Sequence, residues 1–234
     1  MNRRIAAARP RSGVPGTQSG VAPTFAAGPA CNPRRRLLLL VPLLALSAAR
    51  AATDRVATPA QMLGPFYPLQ PDSRAGNDLA RVERGRAQGV PLRIVGGVRD
   101  TAGRALPGVL VEIWQTNAHG RYHHPHDDSP QPLDPNFQGY GRATTDADGT
   151  YRFATIEPVA YPGRTPHVHF RLSRGSQELL VTQMYLPEAA ATNERDGLYR
   201  SVGDAAARRL LLGVAEPGAS GTLRFDIVLA AARD

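Results

Sequence analysis

The chain has 234 residues, with 28 basic residues, all arginine, against 20 acidic ones, for a formal net charge of +8. That excess lies in one segment: residues 1–51 hold eight arginines and no acidic residue, leaving 20 basic and 20 acidic residues beyond it. A balanced remainder offers no basic patch for nucleic acid. The single cysteine, Cys31, lies in the same segment, so the remainder excludes zinc-finger, iron–sulfur and cysteine-nucleophile chemistry.

Residues 1–33 are rich in Ala, Gly, Pro, Arg and Ser and show no periodicity. Arg34-Arg35-Arg36, an apolar run from Leu37 to Leu46 and Ala49-Arg50-Ala51 follow. A positive region, a short apolar run and an Ala-x-Ala site read as a secretory signal. The run is too short to span a bilayer comfortably. The arginine cluster also resembles a twin-arginine signal, which would let a metalloprotein fold and load metal before export. The expectation is an exported protein, periplasmic or extracellular, with no stable membrane span in the mature chain.

Residues 52–90 read as an N-terminal arm, irregular over the polar stretch from Tyr67 to Gly89, and 91–234 as one β-sandwich domain. The roughly 183 residues after the leader suffice for a single domain with a sizeable core. Leu92–Val98, Val109–Gln115, Tyr151–Thr155, His167–Ser173, Leu179–Tyr185 and Thr222–Leu229 are short runs rich in Val, Ile, Leu, Phe and Tyr. Turn chemistry separates them at Asp100-Thr101-Ala102-Gly103, Leu106-Pro107-Gly108 and Asp146-Ala147-Asp148-Gly149. The pattern predicts an all-β sandwich, with one short helix at Ala205–Leu212. Asp146-x-Asp148-Gly149 resembles the start of a calcium loop, but the downstream Glu is missing, so it reads as a hairpin turn.

The most informative local feature is Arg164-Thr165-Pro166-His167-Val168-His169-Phe170. Strand side chains alternate faces, so His167 and His169 share one face, roughly 7 Å apart, while Val168 and Phe170 point to the core. Two imidazoles so spaced can converge on a metal, although His-x-His alone is more often a structural pair. Tyr122 and Tyr161 add hard oxygen donors suited to a trivalent ion. Glu112 shares a strand face with Trp114, which marks that face as polar. The cluster His123, His124, His126, Asp127 and Asp128 lies between Pro125 and Pro130 and reads as a solvated loop.

Several segments together resemble the intradiol ring-cleavage dioxygenases, of the iron-bearing protocatechuate 3,4-dioxygenase kind. They are Gly64-Pro65-Phe66-Tyr67-Pro68, Gly108 through Glu112-Ile113-Trp114-Gln115-Thr116-Asn117 to Arg121-Tyr122, Asp134-Pro135-Asn136-Phe137, Thr145 to Tyr151, Tyr161-Pro162, Arg164 to Phe170, and Thr182-Gln183-Met184-Tyr185. They run in family order over about residues 61–229. The resemblance implies a prealbumin/transthyretin-like sandwich and one Fe(III) per chain, held by Tyr122, Tyr161, His167 and His169. It implies that a catechol chelates the iron, that Tyr161 leaves and serves as a base, and that O2 is inserted between the two hydroxylated carbons to give a cis,cis-muconate. Arg164 would stabilise charge on the ring, Gln183 would support the ligands, and Trp114 would lie beside the substrate. Tyr67 would either line the substrate mouth or anchor the arm. Only five residues separate Tyr161 from His167, fewer than in the well-known enzymes, which implies a more open iron. A homo-oligomer or a second, related chain remains open. Two competing readings are a non-enzymatic transthyretin-like binding module and a copper or zinc site using the histidines alone.

Overall fold

A computed structural model describes residues 55–83 and 85–230. The export-leader reading of residues 1–51 lies outside the described residues. The strands are β1 (Arg81–Val82), β2 (Gly85–Arg86), β3 (Pro91–Asp100), β4 (Leu110–Trp114), β5 (Tyr140–Thr144), β6 (Thr150–Ile156), β7 (His167–Arg174), β8 (Gln177–Tyr185), β9 (Val214–Ala215), β10 (Thr222–Arg224) and β11 (Ile227–Leu229). Short helices α1 (Ala190–Asn193), α2 (Gly197–Arg200) and α3 (Ala205–Arg209) fall between β8 and β9. Among the described residues, no helix is long and apolar enough to cross a membrane.

Two sheets carry the all-β architecture that the sequence predicts. In one, β3 is central, with β6 antiparallel on one side and β10 and β11 parallel to it on the other. In the other the order is β5-β4-β7-β8, antiparallel throughout. Strand alternation fills the space between them. Leu92, Ile94, Tyr151, Phe153 and Phe225 come from one sheet, and Val111, Ile113, Val168, Phe170 and Leu172 from the other.

The arm closes the open sides of this sandwich. On one side, Thr58 N–H donates to Val228 O at 2.9 Å, and Gln61 N–H donates to Val181 O at 2.8 Å. That stretch therefore joins β11 of one sheet to β8 of the other. On the opposite side, Gly76 O accepts from Arg142 of β5, and Asn77 O accepts from Ala154 of β6. Leu79 is fully buried there. Exposed strand edges are thus paired with the chain itself. Between these stretches and β3 lies a small hairpin, β1–β2, inside the segment expected to be irregular.

Five details differ from the sequence reading. First, β5 was missed, because Tyr-Gly-Arg-Ala-Thr has little strand character of its own; full pairing with β4, from Leu110↔Thr144 to Trp114↔Tyr140, makes it a strand. Second, the turn at Asp146–Gly149 is not a hairpin connection. It is tight, with Asp146 Oδ1 accepting from Asp148 and Thr150 N–H, but β5 and β6 belong to different sheets, so it carries the chain across the sandwich. Third, the run Thr222–Leu229 is interrupted where Phe225 O turns to accept the Tyr151 hydroxyl. Fourth, the helix expected at Ala205–Leu212 ends at Arg209, because Leu211 O and Gly213 N–H bond to the backbone of Tyr185 at the end of β8. The helices α1 and α2 were also missed.

Candidate metal centre

Cross-strand register builds one face of the four-stranded sheet into a site. Trp114 lies opposite His169, His169 opposite Gln183, and His167 opposite Tyr185. The same alternation that sends Val168 and Phe170 into the core presents His167 and His169 on the other face. That face is also buried, since the arm segment 61–67 crosses it: Met62 O accepts from Gln183 Nε2 at 3.2 Å, and the Phe66 ring stacks on Tyr122 at 4.6 Å.

The two remaining ring donors come from loops. Tyr122 follows β4, and its N–H donates to Asp127 Oδ2 at 2.7 Å. Asp127 Oδ1 also accepts from Ser129 N–H, and His124 Nδ1 accepts from His126 N–H. The His/Asp-rich segment is therefore a turn that fixes Tyr122. No group of three His, Cys, Asp or Glu side chains converges among the described residues. Tyr161 begins a tight turn, closed by Arg164 N–H donating to Tyr161 O at 2.9 Å. Its ring lies 5.6 Å from that of Tyr122 and 5.7 Å from that of His167.

Three donor atoms form a compact triangle. His167 Nε2 and His169 Nε2 are 3.2 Å apart, and Tyr122 Oη lies 3.4 Å from the first and 3.1 Å from the second. An ion about 2 Å from each donor requires neighbouring donors roughly 3 Å apart, so the triangle fits one metal. His167 Nδ1 lies 2.6 Å from Thr165 O, which assigns its proton to that side and frees Nε2 as a lone-pair donor. His169 Nδ1 has no such partner among the described residues. The His169 ring is held instead by stacking on Trp114, with centroids 4.7 Å apart and planes 8° from parallel.

Electrostatics keep protons off the imidazoles. Burial, helped by the Arg164 charge, pushes His167 down to about 3. Burial, with His167 and Arg164 nearby, pushes His169 well below the usual range. Tyr122 goes the other way: burial, then Tyr161, raises its hydroxyl well above the ordinary tyrosine value. Such a phenol becomes a ligand only when a strongly charged cation displaces its proton. The donor set suits a hard, highly charged metal ion.

Arg164 and Gln183 are brought to the same place. Arg164 donates through one terminal nitrogen to Gln183 Oε1 at 2.6 Å and Tyr185 Oη at 3.4 Å, and through the other to Tyr161 Oη at 3.4 Å. Tyr67 stands slightly apart. Its hydroxyl donates to Glu112 at 3.0 Å and accepts from Arg171 at 3.1 Å, while its ring edge packs on Trp114 at 4.9 Å. Glu112, buried, also accepts from Tyr140 and Arg171. These contacts hold this arm residue against β4 and β7. Sequence reasoning missed Phe66 as a wall of the site, Thr165 as the partner of His167, and Tyr185. All three stand in segments that carry the resemblance, but only the fold brings them to the donors.

The comparisons with known proteins agree with this geometry. A family model described as Dioxygenase matches residues 62–231. The chain belongs to the intradiol ring-cleavage dioxygenase family. It is 40% identical to the protocatechuate 3,4-dioxygenase beta chain of Burkholderia cepacia over 181 residues, 70% of this chain and 76% of that one. A hydroxyquinol 1,2-dioxygenase of Nocardioides simplex is 29% identical over 92% of this chain and 80% of its own. A catechol 1,2-dioxygenase of Candida albicans is 32% identical over 61% of this chain, and the match spans 51% of that enzyme's length. Among solved structures, the dioxygenase domain of a carbohydrate-binding fusion protein from Streptomyces sp. SirexAA-E matches with TM-score 0.55 and 33% identity, over 76% of this chain and 100% of that one. An intradiol dioxygenase from Tetranychus urticae shares the fold at TM-score 0.61 and 20% identity, over 76% of this chain and 96% of that one. The intradiol enzymes are generally iron-dependent. The non-enzymatic module reading finds no support: both tyrosines and both histidines are present and gathered.

Proposed function

We propose that the protein is a non-haem Fe(III) intradiol dioxygenase, with one iron per chain held by Tyr122, Tyr161, His167 and His169. It cleaves a catechol-type ring with O2 between the hydroxylated carbons, giving a cis,cis-muconate-type product. The observation that carries the reading is the triangle of Tyr122 Oη, His167 Nε2 and His169 Nε2, with edges of 3.1–3.4 Å and both imidazoles kept neutral. Bound iron supplies the Lewis acidity that lets a catechol ionise and its ring react with O2.

The chain's residues divide the remaining work. Tyr122 is fully enclosed and serves as the permanent phenolate. Tyr161 is only half-buried and precedes a two-residue turn, Pro162-Gly163, so it would be the phenolate free to give up the metal and take a catechol proton at its oxygen, becoming the neutral phenol. Arg164, within 3.4 Å of that oxygen, stabilises negative charge developing on the ring. Gln183 fixes Arg164, and Trp114 keeps the His169 ring in plane. The short turn at Tyr161 leaves Pro162 and Gly163 exposed, which supports room for a substituted catechol. The signal-like segment 1–51 supports work outside the cytoplasm, which fractionation of the producing cell checks.

The test is a visible spectrum of the purified protein, with iron assayed in the same sample and catechol then added without oxygen. A tyrosinate-to-Fe(III) band that shifts with catechol, at about one iron per chain, is expected. A protein that stays colourless after ferric reconstitution overturns the reading.

A further inference from the structure

We propose that Asp196 is a positioning residue for the ring-cleavage reaction, acting through Arg164. The proposal rests on the iron dioxygenase reading above. Asp196 lies 32 positions beyond Arg164, at the start of α2, and its side chain is fully buried. Both carboxylate oxygens are occupied. Oδ2 accepts Arg164 Nε at 2.9 Å and Thr165 N–H at 3.0 Å. Oδ1 accepts Leu198 N–H at 2.9 Å and Tyr199 N–H at 3.1 Å, which caps α2. One carboxylate therefore ties the turn that carries Arg164 to the helical segment after β8.

That segment supports the same group twice more. The Tyr199 ring packs on Tyr185 at 4.9 Å, and Tyr185 Oη lies 3.4 Å from an Arg164 terminal nitrogen. Thr165, between Arg164 and the His167 strand, has its hydroxyl bound to Asn193 of α1. A guanidinium has five N–H donors in one plane. Asp196, Gln183, Tyr185 and Tyr161 take four of them. The fifth is on the terminal nitrogen beside Tyr161. Of these acceptors only Asp196 is a carboxylate, and only it holds the Nε edge. With Nε fixed, the plane of the fork is fixed, and so is the direction of the remaining donor.

Charge and position predict opposite signs. If Asp196 acted only through its field, neutralising it would leave Arg164 more effective at stabilising a negative ring, and turnover would rise. If it orients Arg164, neutralising it lets the fork rotate, and turnover falls. Asn caps a helix about as well as Asp, so Asp196→Asn keeps the α2 cap while losing the acceptor pair facing Arg164 and Thr165. Asp196→Ser keeps a capping oxygen that is too short to reach Arg164.

The experiment uses the iron-loaded full chain with Asp196→Asn, Asp196→Ser, Arg164→Gln and the Arg164→Gln/Asp196→Asn pair. The Asp196 variants should keep their iron and still bind anaerobic catechol, read as a shift of the visible band. The kcat of both Asp196 variants should fall roughly 10–100-fold, in the range of positioning defects near reacting groups. The double variant should be no slower than Arg164→Gln alone, since both changes remove one function. Wild-type or raised kcat in the Asp196 variants overturns the proposal. So do losses that multiply with those of Arg164→Gln, or failure of both Asp196 variants to fold, which would make the residue an architectural part of α2. Absence of the iron band in the unaltered protein is a different failure, and sinks the dioxygenase reading itself.

Discussion

Gly64 is the place where one methyl group separates backbone strain from damage to the metal site. Its φ is +77°, and a Cβ there would lie 3.2 Å from His169 Cε1. Gly108 has nearly the same backbone, φ +73°, but a Cβ there meets nothing within 4 Å. Replacing either by Ala costs the left-handed penalty of about 1–2 kcal/mol. For a domain of this size that lowers the melting temperature by roughly 2–8 °C. Without iron, the two variants should therefore melt alike to within a few degrees. They should differ in iron. At Gly64 the new methyl must displace the His169 ring, which Trp114 backs at 4.7 Å and which has no hydrogen bond at Nδ1 to restore it. Loss of a group that orients a ligand typically weakens metal binding by roughly 10–100-fold, and Gly64→Ala should show a loss of that order. Competition with a graded ferric chelator, followed at the visible band, measures it, with Gly108→Ala as the control. Equal iron affinity in the two variants refutes the claim that the arm holds His169 by close contact.

Other perturbations separate the donors and their supports. Tyr122→Phe should abolish most iron binding, whereas Tyr161→Phe should keep iron with a changed band, since Tyr161 is the half-buried phenol; retention of metal in both would favour a site using the histidines alone. Glu112→Gln removes the charge that Tyr67, Tyr140 and Arg171 share, while Arg171 keeps Glu178 at 2.8 Å. The cost should be about 2–3 kcal/mol, or a melting temperature lower by roughly 4–12 °C, and an unchanged melt would show the network to be idle. Burial alone would raise Asp196, but the Thr165 and Arg164 bonds hold it below the usual carboxylate value. Its stabilisation is thus complete above the unfolded carboxylate pKa of about 3.9 and is lost as pH falls through the lower folded value. Melting temperatures of Asp196→Asn should fall less steeply than wild type below about pH 4, and parallel curves would contradict the assignment.

What the sequence disclosed follows from the range of the interactions involved. Strand β7 was legible because alternation is local: Val168 and Phe170 announce one face, and His167 and His169 the other. Strand β5 was not, because Tyr140–Thr144 becomes a strand only by pairing with β4. The four candidate donors, Arg164 and Gln183 were legible through motifs that run in family order. Their supports were not. Asp196 is joined to Arg164 across 32 residues, and Tyr185 to Gln61 across 124. No spacing rule spans such distances. The His123–Asp128 cluster shows the reverse error available to sequence reading, since a metal-like composition there builds a turn around the Asp127 side chain.

The arm links closure of the sandwich to burial of the site. Residues 58–61 bond to an outer strand of each sheet, and the next residues, 62–66, contact Gln183, His169 and Tyr122. The stretch that closes the sandwich is therefore continuous with the stretch that buries the donors. Burial is what keeps His167 and His169 unprotonated and keeps the Tyr122 hydroxyl from ionising without a metal. An open sandwich would leave the imidazoles in water, where they protonate near neutral pH, and their two cationic rings would repel both each other and the metal. Ligand basicity in this chain is thus a property of the closed edge as much as of the residues themselves. That explains why Gly64 and Phe66, which carry no metal-binding atom, belong to the site.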